Sequence, residues 1–173
     1  MRRNDREGEF TDFVASRQAH LRRIAYALCG DWHQAEDLLQ TSLTKLDLAW
    51  GRIEHDGREE AYVRQIMVRA NIDDSRRPWR RERVSDRLPE HAAAEGLPVE
   101  ERSALFEALQ LLPVQQRKVV VLRHWLGLSV RETATELRIS EGTVKSHSSR
   151  GLDALESVLA PQKSSTCGHI SSN

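Results

Sequence analysis

The sequence predicts an all-α fold made of two small helical domains joined by a flexible linker. Long stretches are rich in Ala, Leu, Glu, Arg and Gln, which are strong helix formers, and apolar residues recur at spacings of three and four. Aromatic residues make up only 5% of the 173 residues. The one apolar β-branched run, Val119–Leu122, lies in a stretch with helical spacing. All three observations predict a fold of helices without strands.

Two consecutive helices are predicted near the start of the chain. An apolar stripe runs from Phe10 to Leu28, and Gly30 ends it. Asp31 then occupies an N-cap position, and Gln34 follows at the spacing of a capping box. The second helix has an apolar side, Ala35, Leu38, Leu39, Leu43, Leu46 and Trp50, and a polar side, Glu36, Asp37, Gln40, Thr41, Thr44 and Lys45.

A third helix is predicted over residues 61–75, after a loop over residues 51–60. Pro78 stops this helix, because proline lacks the amide hydrogen and clashes with the preceding turn. The first domain is therefore expected to be a bundle of three to four helices. The side of the third helix expected to be buried carries Tyr62, Ile66, Met67 and Ala70.

A linker is predicted over residues 84–99, where two prolines, a glycine and a run of alanines leave little periodicity. It divides the chain into domains of residues 1–83 and 100–160. The tail over residues 161–173 is rich in Ser and is expected to be disordered.

The second domain is expected to open with a helix near Glu100, followed after Pro113 by a helix that runs to Trp125. Gly127 is the expected end of that helix. The apolar stripe of the opening helix is Leu105, Phe106, Leu109 and Leu112.

The strongest functional pattern is a helix-turn-helix over residues 129–155. Ser129 and Glu132 have the spacing of a capping box for a short helix, and Ser140 caps a longer one after a tight turn. Ala134 is small at the point where two helices must cross closely. Val144, Leu152 and Leu155 are the side chains expected to hold the longer helix to the core.

The opposite side of the longer helix is polar and basic. Lys and Arg bind guanine edges or phosphates, Ser and Thr reach either, and the free amides at the start of a helix bind phosphate. A packed helix pair with a merely solvated polar face is the competing interpretation, and the capped turn and basic outer face favour DNA binding over it. The outward residues are Glu141, Gly142, Thr143, Lys145, Ser146, Ser149 and Arg150.

Charge is distributed in blocks although the chain has 26 basic and 26 acidic residues. Arginines crowd over residues 76–83, glutamates follow over residues 90–101, and the stretch 117–150 is basic again. These blocks indicate two basic faces separated by an acidic spacer.

Several classes of protein are not expected. Cys29 and Cys167 form neither a metal-ligand pattern nor a disulfide framework, and no apolar run has the length of a membrane span or a signal peptide. The chain is therefore expected in the cytoplasm. Adjacent carboxylates such as Asp73 and Asp74 point in different directions on a helix, and no nucleophile motif or Gly-rich phosphate loop occurs. Catalysis, a metal and any other cofactor are not expected.

Two segments resemble a known family. The segment LPVQQRKVVVLRHWLGLSVRETATELRISEGTVKSHSSRGLDAL is similar to region 4 of the extracytoplasmic-function (ECF, group IV) sigma factors of the sigma-70 family. Upstream, GDWHQAEDLLQTSLTKL resembles region 2 of the same family. Two motifs in the family's order and at its separation make the resemblance specific, which a helix-turn-helix alone would not be.

The resemblance implies a sigma factor that binds core RNA polymerase and directs promoter-specific initiation. Its partners would be the clamp of the largest polymerase subunit, the flap of the second-largest subunit and promoter DNA, and an anti-sigma partner is left open. The polar face of the second helix would dock on the clamp. Asp37 and Gln40 match the family's docking positions, with Glu36, Thr41 and Thr44 beside them.

The resemblance also assigns DNA contacts. The loop over residues 53–60 and the third helix would melt and read the −10 element, with Arg69 where family members often carry Asn. The basic surface beside it would be Arg76, Arg77, Arg80 and Arg81. The −35 element would be contacted by Gly142, Thr143, Lys145, Ser146, Ser149 and Arg150.

The alternative is a LuxR-like transcriptional regulator that binds DNA without acting as a polymerase subunit. Its carboxy-terminal helix-turn-helix would look similar, but such regulators usually carry a receiver or ligand domain that contains strands. Promoter-specific transcription by core polymerase with this chain separates the two hypotheses.

Overall fold

The computed structural model describes residues 3–75 and 103–160. The chain divides into two compact units, one within residues 1–98 (unit 1) and one within residues 99–173 (unit 2). Helices are the regular structure of the described residues, which contain no strand. The predicted linker, the predicted tail and the arginine cluster Arg76, Arg77, Arg80 and Arg81 lie outside the described residues.

Unit 1 contains the helices α1 (Arg3–Cys29), α2 (Trp32–Trp50) and α3 (Glu59–Ser75), which pack against one another in all three pairs. Gly30 has a φ of 70°, the left-handed conformation that ends a helix at low cost for glycine. Asp31 then accepts the amide hydrogen of Gln34 at 2.9 Å, which confirms it as the N-cap of α2.

The predicted apolar side of α2 is confirmed, since all six of its residues are buried. The predicted buried side of α3 is wrong in part. Tyr62 is 39% exposed and Ile66 and Ala70 are half-buried, whereas Met67 is buried as predicted. Tyr carries a hydroxyl that favours water at its tip, and α3 instead packs through a set of purely apolar side chains. These buried residues are Val63, Met67, Val68 and Ile72.

Unit 2 contains four α-helices in the described residues. They are α4 (Ala104–Gln110), α5 (Val114–Val120), α6 (Val130–Leu137) and α7 (Glu141–Leu159), and α5 continues as a π turn over Val121–Trp125. α7 packs against α4, α5 and α6, so the core of unit 2 is built around it. That core includes Ala108, Leu109, Leu112, Val120 and Leu155.

The first helix of unit 2 differs from its prediction. It begins at Ala104, because the Oγ of Ser103 accepts the amide hydrogen of Phe106 at 3.3 Å and caps it. Leu105 is 49% exposed, so it is not part of the buried stripe. In this short helix the buried positions are Ala108 and Leu109, which face α7.

Gly127 ends the helical segment that contains α5, as predicted, with a φ of 72°. The π turn closes through the amide of Leu126, which donates to the carbonyl of Val121 at 2.9 Å. Within residues 3–75 and 103–160, no helix combines the length and the apolar character that crossing a membrane requires.

Candidate nucleic-acid and polymerase interfaces

The helix-turn-helix begins with a complete capping box. The amide of Glu132 donates to the Oγ of Ser129 at 3.0 Å, and the amide of Ser129 donates to the Oε2 of Glu132 at 2.7 Å. Two hydrogen bonds with Ser129 hold the pKa of Glu132 below its usual value, and the bond with the backbone has a larger effect than the bond with the side chain. This reciprocal pair confirms the predicted start of α6 and satisfies amides that the helix leaves without a partner.

The turn between α6 and α7 takes three residues. Arg138 adopts the left-handed conformation, with φ 53° and ψ 48°, and its amide donates to the carbonyls of Ala134 and Thr135. Ile139 donates to the carbonyl of Ala134 at 3.1 Å. Ser140 then caps α7 by accepting the amide hydrogen of Thr143 at 3.1 Å. These local bonds determine the angle at which α7 leaves the turn.

Gly151 sets the close approach of α7 to α5. A Cβ on this residue would lie 2.6 Å from the Cγ2 of Val120, a distance that no side chain would tolerate. The buried positions of α7 are Val144, Gly151 and Leu155. Leu152 was predicted to be buried and is 41% exposed, because its neighbour Gly151 occupies the contact instead. A glycine inside a helical pattern is the sequence signal for such a contact.

The outer face of α7 brings the predicted −35 residues together. Gly142, Lys145, Ser146, Ser149 and Arg150 are all exposed on the helix. Thr143 is half-buried, since its Oγ1 lies 2.8 Å from the Oγ of Ser140 in the cap. DNA contact by these side chains stays a prediction, and their common exposure on one helix provides the surface that it requires.

Two further arginines are exposed on the helix-turn-helix, at positions that the motif did not single out. Arg131 is exposed in the first turn of α6, and Arg138 is exposed in the turn that follows it. Arg131 therefore lies on α6, and Arg138 lies in the turn that leads into α7. Their signal in the sequence was a basic residue at each end of the short helix.

Two other cations of the block over residues 117–150 do not belong to the basic surface. Arg117 and Lys118 are only 6% and 5% exposed. The Nη1 of Arg117 donates to the Oε1 of Gln110 at 3.5 Å, which ties α5 to α4. The block therefore divides into this buried pair, the half-buried Arg123, whose Nη1 donates to the carbonyl of Leu128, and the exposed cations of α6, the turn and α7.

The polar face of α2 presents four of the five predicted polymerase-binding residues to solvent. Asp37, Gln40, Thr41 and Thr44 are exposed. Glu36 is half-buried and accepts a hydrogen bond from the Nε of Arg22 at 2.9 Å. Glu36 is thus engaged in an ion pair between α1 and α2 on the edge of that face.

The loop between α2 and α3 is anchored by His55. Its ring centroid lies 4.6 Å from that of Trp50, and its Nδ1 lies 3.4 Å from the Oε1 of Glu59. Trp50 in turn contacts Phe10 and Phe13, each at 5.3 Å between ring centroids. An aromatic cluster of α1 and α2 therefore holds the loop that was predicted to read the −10 element.

Arg69 is exposed on α3. Asn71 lies on another side of the helix, as its number implies, and its Nδ2 donates to the Sγ of Cys29 at 3.4 Å. The side-chain nitrogen of Asn71 is therefore bonded at the end of α1, and Arg69 is the exposed residue of α3 at the predicted −10 position.

Family models match both units. Residues 13–81 match the model for Sigma-70 region 2, and residues 102–155 match the model for Sigma-70, region 4. The chain is 37% identical over 158 residues to the RNA polymerase sigma-E factor of Streptomyces coelicolor, covering 87% of this chain and 86% of that protein. It is 29% identical over 157 residues to the ECF RNA polymerase sigma factor SigM of Mycobacterium tuberculosis, covering 87% and 76%.

Solved structures show the same fold. The sigma factor RpoE in complex with the anti-sigma factor NepR from Bartonella quintana is similar with a TM-score of 0.59 and 25% identity, over 88% of this chain and 97% of that chain. A match to region 2 in the first half is not expected of a LuxR-like regulator, so that alternative is not favoured. The capped helix-turn-helix, the polar face of α2 and these matches agree that the chain belongs to the sigma-70 family of RNA polymerase sigma factors, in its extracytoplasmic-function group.

Proposed function

We propose that this sigma factor docks on core RNA polymerase through the polar face of α2 and reads promoter DNA through the outer face of α7. One observation carries the proposal: an exposed polar helix face in unit 1 and a capped helix-turn-helix with a basic outer face in unit 2 occur in one chain. The chain supplies no reacting group in this mechanism and serves as a non-catalytic specificity subunit.

The docking surface on the clamp would consist of Asp37, Gln40, Thr41 and Thr44. These four side chains are exposed and lie opposite the buried stripe of α2. Glu36 would act indirectly, because its ion pair with Arg22 holds α2 against α1. The family resemblance further assigns unit 2 a contact with the flap of the second-largest subunit.

The −10 element would be melted and read by unit 1. Promoter melting requires unstacked bases to be trapped beside a basic surface that binds the phosphates. The loop held by His55 and Trp50 provides a supported edge for this purpose, and Arg69 is exposed on α3. The proposed basic surface includes Arg76, Arg77, Arg80 and Arg81, which follow α3 directly in the sequence.

The −35 element would be read by α7 in the major groove. Lys145 and Arg150 carry the positive charges of its outer face, where Gly142, Ser146 and Ser149 are also exposed. Each good base contact contributes about 1–3 kcal/mol of discrimination. Two modest DNA contacts tethered to one polymerase gain from effective concentration, so neither unit needs high affinity alone.

The location and one further partner follow from this function. A subunit of the transcription apparatus in a bacterium works in the cytoplasm, where the chromosome and polymerase are. A structural relative binds an anti-sigma factor, and we include an anti-sigma protein among the proposed partners of this chain.

Run-off transcription tests the proposal directly. Purified core polymerase, free of other sigma factors, is combined with the full chain and a library of promoters. We expect promoter-specific transcripts that depend on the chain. Specific DNA binding by the chain alone, with no transcript and no association with core polymerase, would instead support the regulator hypothesis.

The assignment of α7 is tested with Lys145→Glu combined with Arg150→Glu. The double variant should lose transcription from a −35-dependent promoter and retain its affinity for core polymerase. Unchanged transcription would show that another surface reads the −35 element.

A further inference from the structure

A hydrogen bond at the surface of unit 2 joins the π turn after α5 to α7. The Nε2 of His124 lies 2.8 Å from the Oγ of Ser148. His124 is exposed and Ser148 is half-buried. The bond therefore lies at the edge of the contact between the two elements, outside the apolar core.

α7 packs against three helices, and its fully buried residues lie on one side of it. Val144, Gly151 and Leu155 are its buried residues, and their separations of seven and four residues place them on one side of a helix with 3.6 residues per turn. At 100° per residue, Ser148 lies about 40° around the helix from Val144, between the buried side and Lys145 at about 100°. The bond to His124 therefore holds α7 at the border between its buried side and its outer face, where it resists rolling of the helix about its own axis.

Rolling of α7 would misplace the side chains that face DNA. Ser148 follows Lys145 by three residues and shares its side of the helix. At a helix radius of about 5–6 Å, a roll of about 10° moves a side chain by about 1 Å. Binding constellations require placement within about 0.5 Å and 10–20°, so even a small roll weakens base readout.

We infer that His124 is a positioning residue for −35 recognition, acting through its hydrogen bond to Ser148 on the roll of α7. The inference rests on the proposed function, in which the outer face of α7 reads the −35 element. The bond is retained whichever of its two atoms is the donor.

The test uses holoenzyme assembled from the full chain and purified core polymerase. The template is a promoter selected from a randomised library by the wild-type holoenzyme, with its −35 element intact or scrambled. The ratio of the two run-off yields measures −35 discrimination. His124→Phe keeps an aromatic ring and removes the bond, whereas His124→Gln keeps an amide that reaches Ser148.

Loss of one net hydrogen bond corresponds to a change of roughly 2- to 12-fold. The discrimination ratio should fall by that factor in His124→Phe and in Ser148→Ala, and His124→Gln should stay within about twofold of the wild type. The double variant His124→Phe with Ser148→Ala should lose no more than either single variant, because both remove the same bond.

A merely structural role would lower the yields from both templates together and leave the ratio unchanged. An unchanged ratio in Ser148→Ala overturns the inference, and this variant keeps the test available if His124→Phe folds poorly. Additive losses in the double variant also overturn it. Failure of the proposed function is distinguishable, since Lys145→Glu with Arg150→Glu would then leave the ratio at its wild-type value.

Discussion

Replacing Gly151 by Ala tests how closely α7 approaches α5. The new Cβ would lie 2.6 Å from the Cγ2 of Val120, which is 6% exposed. A buried valine has little rotamer freedom in a helix, so the clash must be relieved by moving the helices apart. Such overpacking costs about 1–3 kcal/mol, and the better helix propensity of Ala offsets about 1 kcal/mol. We expect a net loss of about 1 kcal/mol in the stability of unit 2.

Native-state hydrogen exchange measures this loss in the full chain, because the slowest amides of α5 and α7 report the opening of unit 2. Their exchange should be about fivefold faster in Gly151→Ala, and amides of unit 1 should not change. Gly142→Ala is the matched control, since its Cβ would meet nothing nearer than the Oγ of Ser140 at 3.8 Å.

The reasoning is refuted if Gly151→Ala exchanges as slowly as Gly142→Ala. Combining Gly151→Ala with Val120→Ala provides a second check. The smaller residue removes the Cγ2 that the new Cβ meets, so the two losses should sum to more than the loss in the double variant.

Three further predictions concern docking, acid sensitivity and the turn. Asp37→Arg with Gln40→Ala should weaken binding to core polymerase by at least about tenfold. Asp12→Arg, the same charge change at an exposed position of α1, should not, and equal affinities of the two variants in a pull-down titration would remove the docking claim. The lowered pKa of Glu132 means that its contribution to stability is present above the usual value of 4.5 and is lost as the pH falls through the lowered pKa. Between about pH 6 and pH 3, the Tm in thermal melts should therefore fall less for Glu132→Gln than for the wild type. Identical decreases in Tm would contradict this. Arg138→Gly should stabilise unit 2 by about 1 kcal/mol, because glycine adopts the left-handed conformation without strain. Slower amide hydrogen exchange in α6 and α7 would show this stabilisation, and faster exchange would count against it.

The helix boundaries could be predicted because they depend on bonds between neighbours in the sequence. Asp31 caps α2 through an amide three residues away, and Ser129 and Glu132 cap α6 in the same way. Gly30 and Gly127 adopt positive φ as the sequence pattern requires. Since each of these interactions closes within a few residues, the amino-acid order carries the whole signal.

The exposed faces of α2 and α7 could also be predicted, because helical periodicity separates their apolar and polar residues. Periodicity locates a face only to within about one residue. Which residue at the edge of the face is buried depends on its neighbours in space. It placed Leu152 inward where Gly151 makes the contact, and it treated Thr143 as outward although the cap holds it half-buried.

Only the tertiary structure decided which charged and polar side chains are available at the surface. Arg117 and Lys118 lie in the core of unit 2 although they begin a basic stretch, and Glu36 is paired with Arg22 from another helix. The bond between His124 and Ser148 joins residues 24 positions apart. Such pairings depend on the packing of whole helices against each other, and no local pattern of residues specifies them.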